Sequence, residues 1–132
     1  MNRRAYLLDT HALLFWDSGE GASAEFTEFL DRQDSQGRLY VSSLSLWEIS
    51  LLSKKGRIAL DDVHAWKNEL LANTHLRLIA PSEAEVIDST LLPDHHSDPF
   101  DRALIAQARY RKLTLVSKDR RMAQYDVELT WI

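Results

Sequence analysis

The chain has 132 residues, of which 45% are hydrophobic and 27% charged, as is typical of a single soluble globular domain. It lacks the roughly 18 consecutive apolar residues that span a bilayer, and without cysteine it forms neither disulfides nor thiolate metal sites. The net charge of −4 neither indicates nor excludes a nucleic-acid partner. Only four apolar residues follow the basic segment 1–4, too few for a signal peptide, so we expect one cytoplasmic domain over residues 1–132 without a membrane segment.

The first half of the chain alternates short apolar runs with amphipathic segments. In chain order the pattern predicts a strand, two helices, a second strand and two more helices, over residues 5–8, 11–17, 22–34, 39–41, 42–53 and 62–74. The first strand is a continuous apolar run that stops at Asp9, as expected of a strand buried on both faces. Gly37 marks a turn before the second strand, and Gly56 ends the helix that begins near Ser42.

The second half continues the alternation. In chain order we predict a strand, two helices, a strand and, after a short helical turn, a last strand, over residues 76–80, 82–91, 98–112, 113–116 and 127–131. Ser82 and Glu85 form a capping box, and Asp98 before Pro99 is a strong helix start. Strands alternating with helices predict an α/β fold in which a central parallel sheet of about five strands carries helices on both faces.

Four acidic residues occupy predicted element ends or inward faces, namely Asp9, Glu48, Asp101 and Asp119. An ionised carboxylate is costly to desolvate there unless a positive charge neutralises it, and no Lys or Arg shares these positions. Asp9 and Asp119 follow strands, at the carboxyl ends where open parallel sheets bind ligands. Oxygen ligands without a protein counter-charge suit a hard divalent cation. The pattern therefore predicts a site for one or two Mg²⁺ or Mn²⁺ ions.

Several of these acids also have alternative structural roles. Asp9 is a favoured helix N-cap, a role compatible with metal binding because one carboxylate oxygen can cap while the other binds. Asp119 suits a solvated turn when taken alone. At the start of the helix predicted over residues 98–112, we assign the cap to Asp98 and the metal to Asp101, with Asp98 left open as an outer-shell or minor ligand.

Glu48 has two interpretations. With Ser45 it matches a capping box, which would make it a structural residue. If the helix starts earlier, at Ser42 or Ser43, Glu48 points inward on an apolar face, and we favour this arrangement. The predicted face consists of Leu44, Trp47, Glu48 and Leu51.

Residues beside the acids are candidates for substrate binding: Thr10, Arg102, Ser117, Lys118 and Arg120. Their hydroxyl groups can reach an adjacent ligand or water, and their cationic groups can hold phosphates. For His11 and His96 we favour a polar surface role, and the five histidines lack the spacing of a zinc site. The four tryptophans are more typical of core or interface anchors than of base-stacking platforms.

Four stretches, in this order and spacing, resemble PIN-domain nucleases of the VapC toxin type: residues 7–11, 41–49, 96–108 and 115–119. The run Asp-Pro-Phe-Asp-Arg leading into Leu-Ile-Ala-Gln-Ala is the most specific part. The resemblance implies a small α/β fold and a Mg²⁺- or Mn²⁺-dependent endoribonuclease. The family's acids carry over onto Asp9, Glu48, Asp101 and Asp119, while the role of Asp98 stays unassigned. It also implies a homodimer and a small antitoxin protein that covers the active site.

Other functions stay open at this point. A metal-dependent phosphatase with an aspartyl nucleophile usually has a second Asp two residues after the first, where His11 stands. A non-catalytic RNA- or protein-binding domain of the same fold would be expected to lack one or more of the four acids, and all are present. A receiver-type switch needs an acceptor Asp at the end of the third strand, where Ala80 and Pro81 lie instead.

Overall fold

The computed structural model describes residues 4–132, so most of the basic N-terminal segment noted above lies outside the described residues. The strands are β1 (Tyr6–Leu8), β2 (Leu39–Ser42), β3 (Arg77–Ile79), β4 (Thr114–Val116) and β5 (Leu129–Thr130). The helices are α1 (Thr10–Ser18), α2 (Ala24–Ser35), α3 (Ser43–Lys54), α4 (Val63–Asn73), α5 (Glu83–Leu91) and α6 (Pro99–Arg111), with a 3-10 turn at Arg120–Gln124. None of the described helices has both the length and the apolar character to span a bilayer.

The five strands form one parallel sheet in the order β3-β2-β1-β4-β5. β1 lies at the centre, with Leu8 paired to Val41 on one side and to Val116 on the other. From β1 the chain builds outward through β2 and β3, then returns to place β4 on the opposite side of β1. Such a reversal opens a crevice at the carboxyl ends of the two central strands. The predicted α/β fold with a five-stranded parallel sheet is confirmed.

The core consists of two clusters on opposite faces of the sheet. Because side chains alternate along a strand, Tyr6 and Leu8 join the cluster packed by α1, α2 and α4, while Leu7 joins the cluster packed by α6. Helices therefore cover both faces, and this burial explains why β1 is apolar throughout. The observed elements lie within one or two residues of their predicted bounds.

A buried carboxylate fastens α5 to α6. Glu85 completes the predicted capping box by accepting from the Ser82 backbone N–H at 2.7 Å. It also accepts from Arg111 Nε at 2.9 Å and Nη2 at 3.1 Å, while Arg111 donates to the Ala80 carbonyl at 2.8 Å. Burial raises the pKa of Glu85, but the hydrogen bonds from Arg111 and Ser82 outweigh it and hold the pKa below its usual range.

We expect Glu85→Gln to lower the free energy of unfolding by about 1–3 kcal/mol at pH 7, because the charge-assisted bonds to Arg111 are lost. Urea unfolding measures this change. Since the native pKa of Glu85 is depressed, its contribution is present at neutral pH and disappears as pH falls through that native value. Glu83→Gln, an exposed acid in the same helical turn, is the control. A loss that does not depend on pH, or an equal loss in the control, would contradict this role for Glu85.

Candidate active site

Asp9 lies at the carboxyl end of the central strand. Its backbone N–H donates to the Val116 carbonyl at 3.1 Å, which fixes it beside the end of β4. The side chain is 5% exposed and caps α1 by accepting from the Ala12 N–H at 2.7 Å. Burial raises the pKa of Asp9, against hydrogen bonds from Ser117 and Ala12 that oppose the rise. The expected cap role is thus present, and the nearby Glu48 charge further disfavours ionisation.

Glu48 reaches the same edge from α3. The helix is capped by Ser42, which accepts from the Leu44 N–H at 3.1 Å, so the alternative capping box of Ser45 with Glu48 does not form. Instead Thr10 donates its hydroxyl to Glu48 Oε1 at 2.6 Å and lies 3.1 Å from Ser45 Oγ. Thr10 is 2% exposed, so its hydroxyl holds the Glu48 carboxylate in place.

The apolar face predicted for α3 was partly wrong. Ser45 and Ile49 form its buried face, while Trp47 is 59% exposed. The expectation of core or interface tryptophans is met at Trp16, Trp66 and Trp131, which pack partly buried against the core. Trp47 is not a core residue, because it lies on the side of α3 opposite to the buried Ser45 and Ile49.

Asp101 stands in the first turn of α6. As predicted, Asp98 caps this helix, with its Oδ1 accepting from the N–H of Phe100 at 2.8 Å and of Asp101 at 3.2 Å. The pKa of Asp101 is raised to about 8. Burial is the largest cause, and the negative charges of four neighbours add to it, namely Asp98, Asp9, Glu48 and Asp119. The structure therefore brings all five acids together at one edge of the sheet.

Asp119 is the one member of this group with a Lys or Arg partner among residues 4–132. Arg121 donates to its carboxylate through Nε at 3.1 Å, Nη2 at 3.0 Å and the backbone N–H at 3.0 Å. These bonds outweigh burial and, with a bond to His96, lower the pKa of Asp119 to about 2. The expectation that all four acids lack a protein counter-charge was therefore wrong for Asp119, whose partner approaches from the exposed side.

His96 lies between two of the acids, and the surface role expected for it was wrong. It is 5% exposed, and its Nε2 is 2.9 Å from Oδ2 of both Asp101 and Asp119. Its Nδ1 accepts from the Asp98 backbone N–H at 3.1 Å. A backbone N–H only donates, so Nδ1 is unprotonated and the ring proton sits on Nε2. His96 thus donates to Asp119 and lies in contact with the Asp101 carboxylate, so its ring sets the spacing of the two acids.

The donor set suits a hard divalent cation. His96 Nε2 and one oxygen each of Asp101 and Asp119 lie within 4.8 Å of one another. The protonated Nε2 makes His96 a hydrogen-bond donor in this tautomer, which leaves the carboxylate oxygens as the ligands. The raised pKa of Asp101 marks a group of acids that needs an added positive charge to ionise fully.

Comparison with known proteins gives the family. The model of the PIN domain matches residues 6–128. The chain belongs to the PIN-domain family. A curated relative, Ribonuclease VapC22 of Mycobacterium tuberculosis, is 28% identical over 122 residues, which cover 90% of this chain and 90% of the relative.

Solved structures share the fold of this PIN domain. DNA-bound VapBC from Salmonella typhimurium superposes with a TM-score of 0.69 at 15% identity, covering 97% of this chain and 98% of that chain. VapBC2 from Rickettsia felis, bound to a promoter DNA fragment, superposes with a TM-score of 0.70 at 14% identity, covering 96% and 98%. At such low identity these matches establish the fold.

The cationic candidates of this PIN domain are placed differently from one another. Lys118 lies with Nζ 4.8 Å from the centre of the Phe15 ring, and with Arg120 it lines a groove of about 520 Å³ that starts at Asp119. Arg102 instead donates to the carbonyls of residues 92, 93 and 96 at 2.9–3.1 Å. Its guanidinium holds the loop that carries His96, and we assign it no contact with substrate. Ser117, 2% exposed, bonds to Asp9 and accepts from the Asp119 N–H at 3.1 Å.

We expect replacement of His96 by Gln or by Asn to distinguish the role of its Nε2 donor from that of its Nδ1 acceptor. His96→Gln can place an N–H near the Nε2 position and keep most of the affinity for Mn²⁺. His96→Asn can replace only the Nδ1 acceptor, so the affinity should fall about 10- to 100-fold, as when a group that orients metal ligands is removed. Calorimetric titration with Mn²⁺ measures both variants. His64→Ala, at an exposed position of α4, is the control. Equal affinities for the Gln and Asn variants would show that the donated proton has no such role.

Proposed function

We propose that this protein is a VapC-type endoribonuclease that hydrolyses RNA phosphodiester bonds with one or two Mg²⁺ or Mn²⁺ ions held by Asp9, Glu48, Asp101 and Asp119. The observation that carries the proposal is the convergence of five carboxylates at one edge of the sheet, where burial and then the charges of the other four raise the pKa of Asp101 to about 8. Structural ion pairs do not explain it, because only Asp119 of these acids has a Lys or Arg partner among the described residues. Membership of the PIN family and the relative named as a ribonuclease support it.

The protein's own groups prepare the site for a hydrolysis that needs no side-chain nucleophile. A bound divalent cation supplies Lewis acidity and neutralises the charge that develops on the phosphate. Thr10 fixes Glu48, and His96 fixes Asp101 and Asp119 at equal distances of 2.9 Å. A carboxylate oxygen of Asp9 or Asp119 orients the attacking water or accepts its proton. Lys118 and Arg120 line the same groove as Asp119, which supports a role for them in binding the RNA backbone.

A small antitoxin is the proposed regulatory partner in the cytoplasm. The solved neighbours include toxin–antitoxin complexes by their own descriptions. In this chain a largely apolar groove of about 680 Å³ lies between α1, α3 and α4, lined by residues such as Leu14, Leu52 and Trp66. The groove also includes exposed His11, two residues from Asp9, so a segment bound there would extend to the active site. This arrangement supports an antitoxin that blocks access to the carboxylates.

We also propose that the protein forms a homodimer, the commonest form of soluble oligomer. The outer face of α5 exposes Val86, Ile87 and Leu91, with exposed fractions of 48%, 59% and 74%. Three neighbouring apolar side chains on one short helix are costly to leave in water, and a second copy of the chain would cover them.

We expect Asp9→Asn to lower RNA cleavage at least about 100-fold, since it removes a charge from the metal ligands. The fold should persist, because Asn caps a helix as well as Asp does. Sequencing of RNA fragments after induced expression, with cleavage assays in Mn²⁺ and in EDTA, measures activity and identifies the target. Asp88→Asn, an exposed acid on α5, is the matched control. Full activity of Asp9→Asn with the metal still required would exclude Asp9 as a ligand.

A further inference from the structure

Trp47 is unusual among the four tryptophans of the chain. The indole N–H groups of Trp16 and Trp66 each donate to an aspartate at 2.9 Å, and Trp131 packs against Phe26 with ring centroids 4.4 Å apart. Trp47 is 59% exposed, and its described ring contact is with Phe100, at a centroid distance of 5.0 Å and an interplanar angle of 75°. The indole therefore presents a large aromatic surface to solvent while one neighbour holds it in place.

The pair formed by Trp47 and Phe100 adjoins the carboxylates on both sides. Trp47 directly precedes Glu48 on α3, and Phe100 directly precedes Asp101 on α6. The Phe100 backbone N–H also donates to Asp98 at 2.8 Å, which fixes the first turn of α6, where Phe100 lies. The aromatic pair therefore lies on the same turns of α3 and α6 as two of the carboxylates, where a chain bound at the acids could contact it.

The surroundings of Trp47 favour a small flat ligand over a protein partner. The exposed residues at helical spacing from Trp47 on α3 are Ser50 and Lys54, so the indole is an isolated aromatic group on a polar stripe. A stable protein interface buries about 800 Å² on each partner, far more than one aromatic pair offers. The apolar surfaces described above, on α5 and in the groove between α1, α3 and α4, do not include Trp47.

Two arginines near the acids are already bound to protein groups, so stacking of bases can contribute to RNA binding here. Arg121 is bound to Asp119, and Arg102 is bound to the loop before α6. Lys118 lies on the far side of the site, over the rings of Phe15 and Trp131. Near Glu48 and Asp101, uncharged contacts with the bases would therefore add to the affinity for RNA that the proposed metal ion, Lys118 and Arg120 supply. Stacking of a base on an aromatic ring is such a contact and contributes about 1–3 kcal/mol per base.

We propose that Trp47, supported by Phe100, is a stacking site for an unpaired nucleobase of the RNA substrate, next to the bond that is cleaved. This proposal rests on the ribonuclease function proposed above. It requires single-stranded RNA, because a base inside a helix has no free face. It also makes the site tolerant of sequence, since every base has an aromatic face.

Equilibrium binding tests the stacking site without relying on cleavage. The probes are a fluorescein-labelled 12-nucleotide oligouridylate and an abasic oligomer of the same length and charge, measured by fluorescence anisotropy in the Asp9→Asn protein. We expect Trp47→Ala to weaken binding of the oligouridylate about 5- to 150-fold and to leave the abasic oligomer unaffected. Trp47→Phe should retain most of the affinity. The control is Tyr110→Ala, which removes an aromatic ring that is also 59% exposed and lies beyond Phe100 on α6 by roughly 15 Å along the helix axis.

Cleavage assays without the Asp9 substitution separate the two proposals. If the wild-type protein cleaves RNA, Trp47→Ala should raise KM with a smaller effect on kcat, and an unchanged KM would overturn the stacking site. If the wild-type protein cleaves no RNA, the ribonuclease function fails, while the binding experiment still decides the stacking site. Sedimentation measures the mass of every variant. A changed mass for Trp47→Ala with unchanged RNA binding would identify Trp47 as a protein contact and overturn the proposal.

Discussion

Five carboxylates crowd one edge of a parallel sheet, and their mutual repulsion is the constraint that the surrounding structure has to offset. At Asp101, burial and then the charges of four neighbouring acids raise the pKa to about 8. A chain that only needed stability would replace such a group with apolar residues. The cost of holding these acids together is therefore best explained by a chemical task that needs them close to one another.

The fold offsets this repulsion with fixed hydrogen-bond donors. Asp9, Asp98 and Asp119 each cap a helical element, so backbone N–H groups at positive helix ends point at three of the acids. Thr10 donates to Glu48, and His96 donates to Asp119 while its Nε2 lies 2.9 Å from Asp101. Because these donors lie on packed elements around the central strand, the acids are held in position before any ligand binds.

The sequence predicted the parts of this site that have local signals. Asp9 after an apolar run and Asp98 before Pro99 are visible because strand ends and helix caps depend on neighbouring residues. The elements were also predicted closely, since caps and apolar periodicity agree along the chain.

The contacts between distant segments were not predictable in the same way. His96 joins residues that lie up to 23 positions away, and no spacing in the chain indicates that its ring is buried. The outward position of Trp47 depends on which side of α3 faces the sheet. A helix that buries Ser45 instead of Trp47 departs from the pattern that apolar residues normally set.

Because helix caps are also the proposed metal ligands, the stability of the fold and the binding of a cation are linked in this protein. The atoms that start α1 and α6 belong to the same cluster as those that would hold a cation, so an ion bound to the folded chain would fasten several helix starts at once. Ligands that bind only the native state raise its stability in proportion to the logarithm of their concentration. The thermal resistance of this protein would therefore vary with the supply of divalent cations around it.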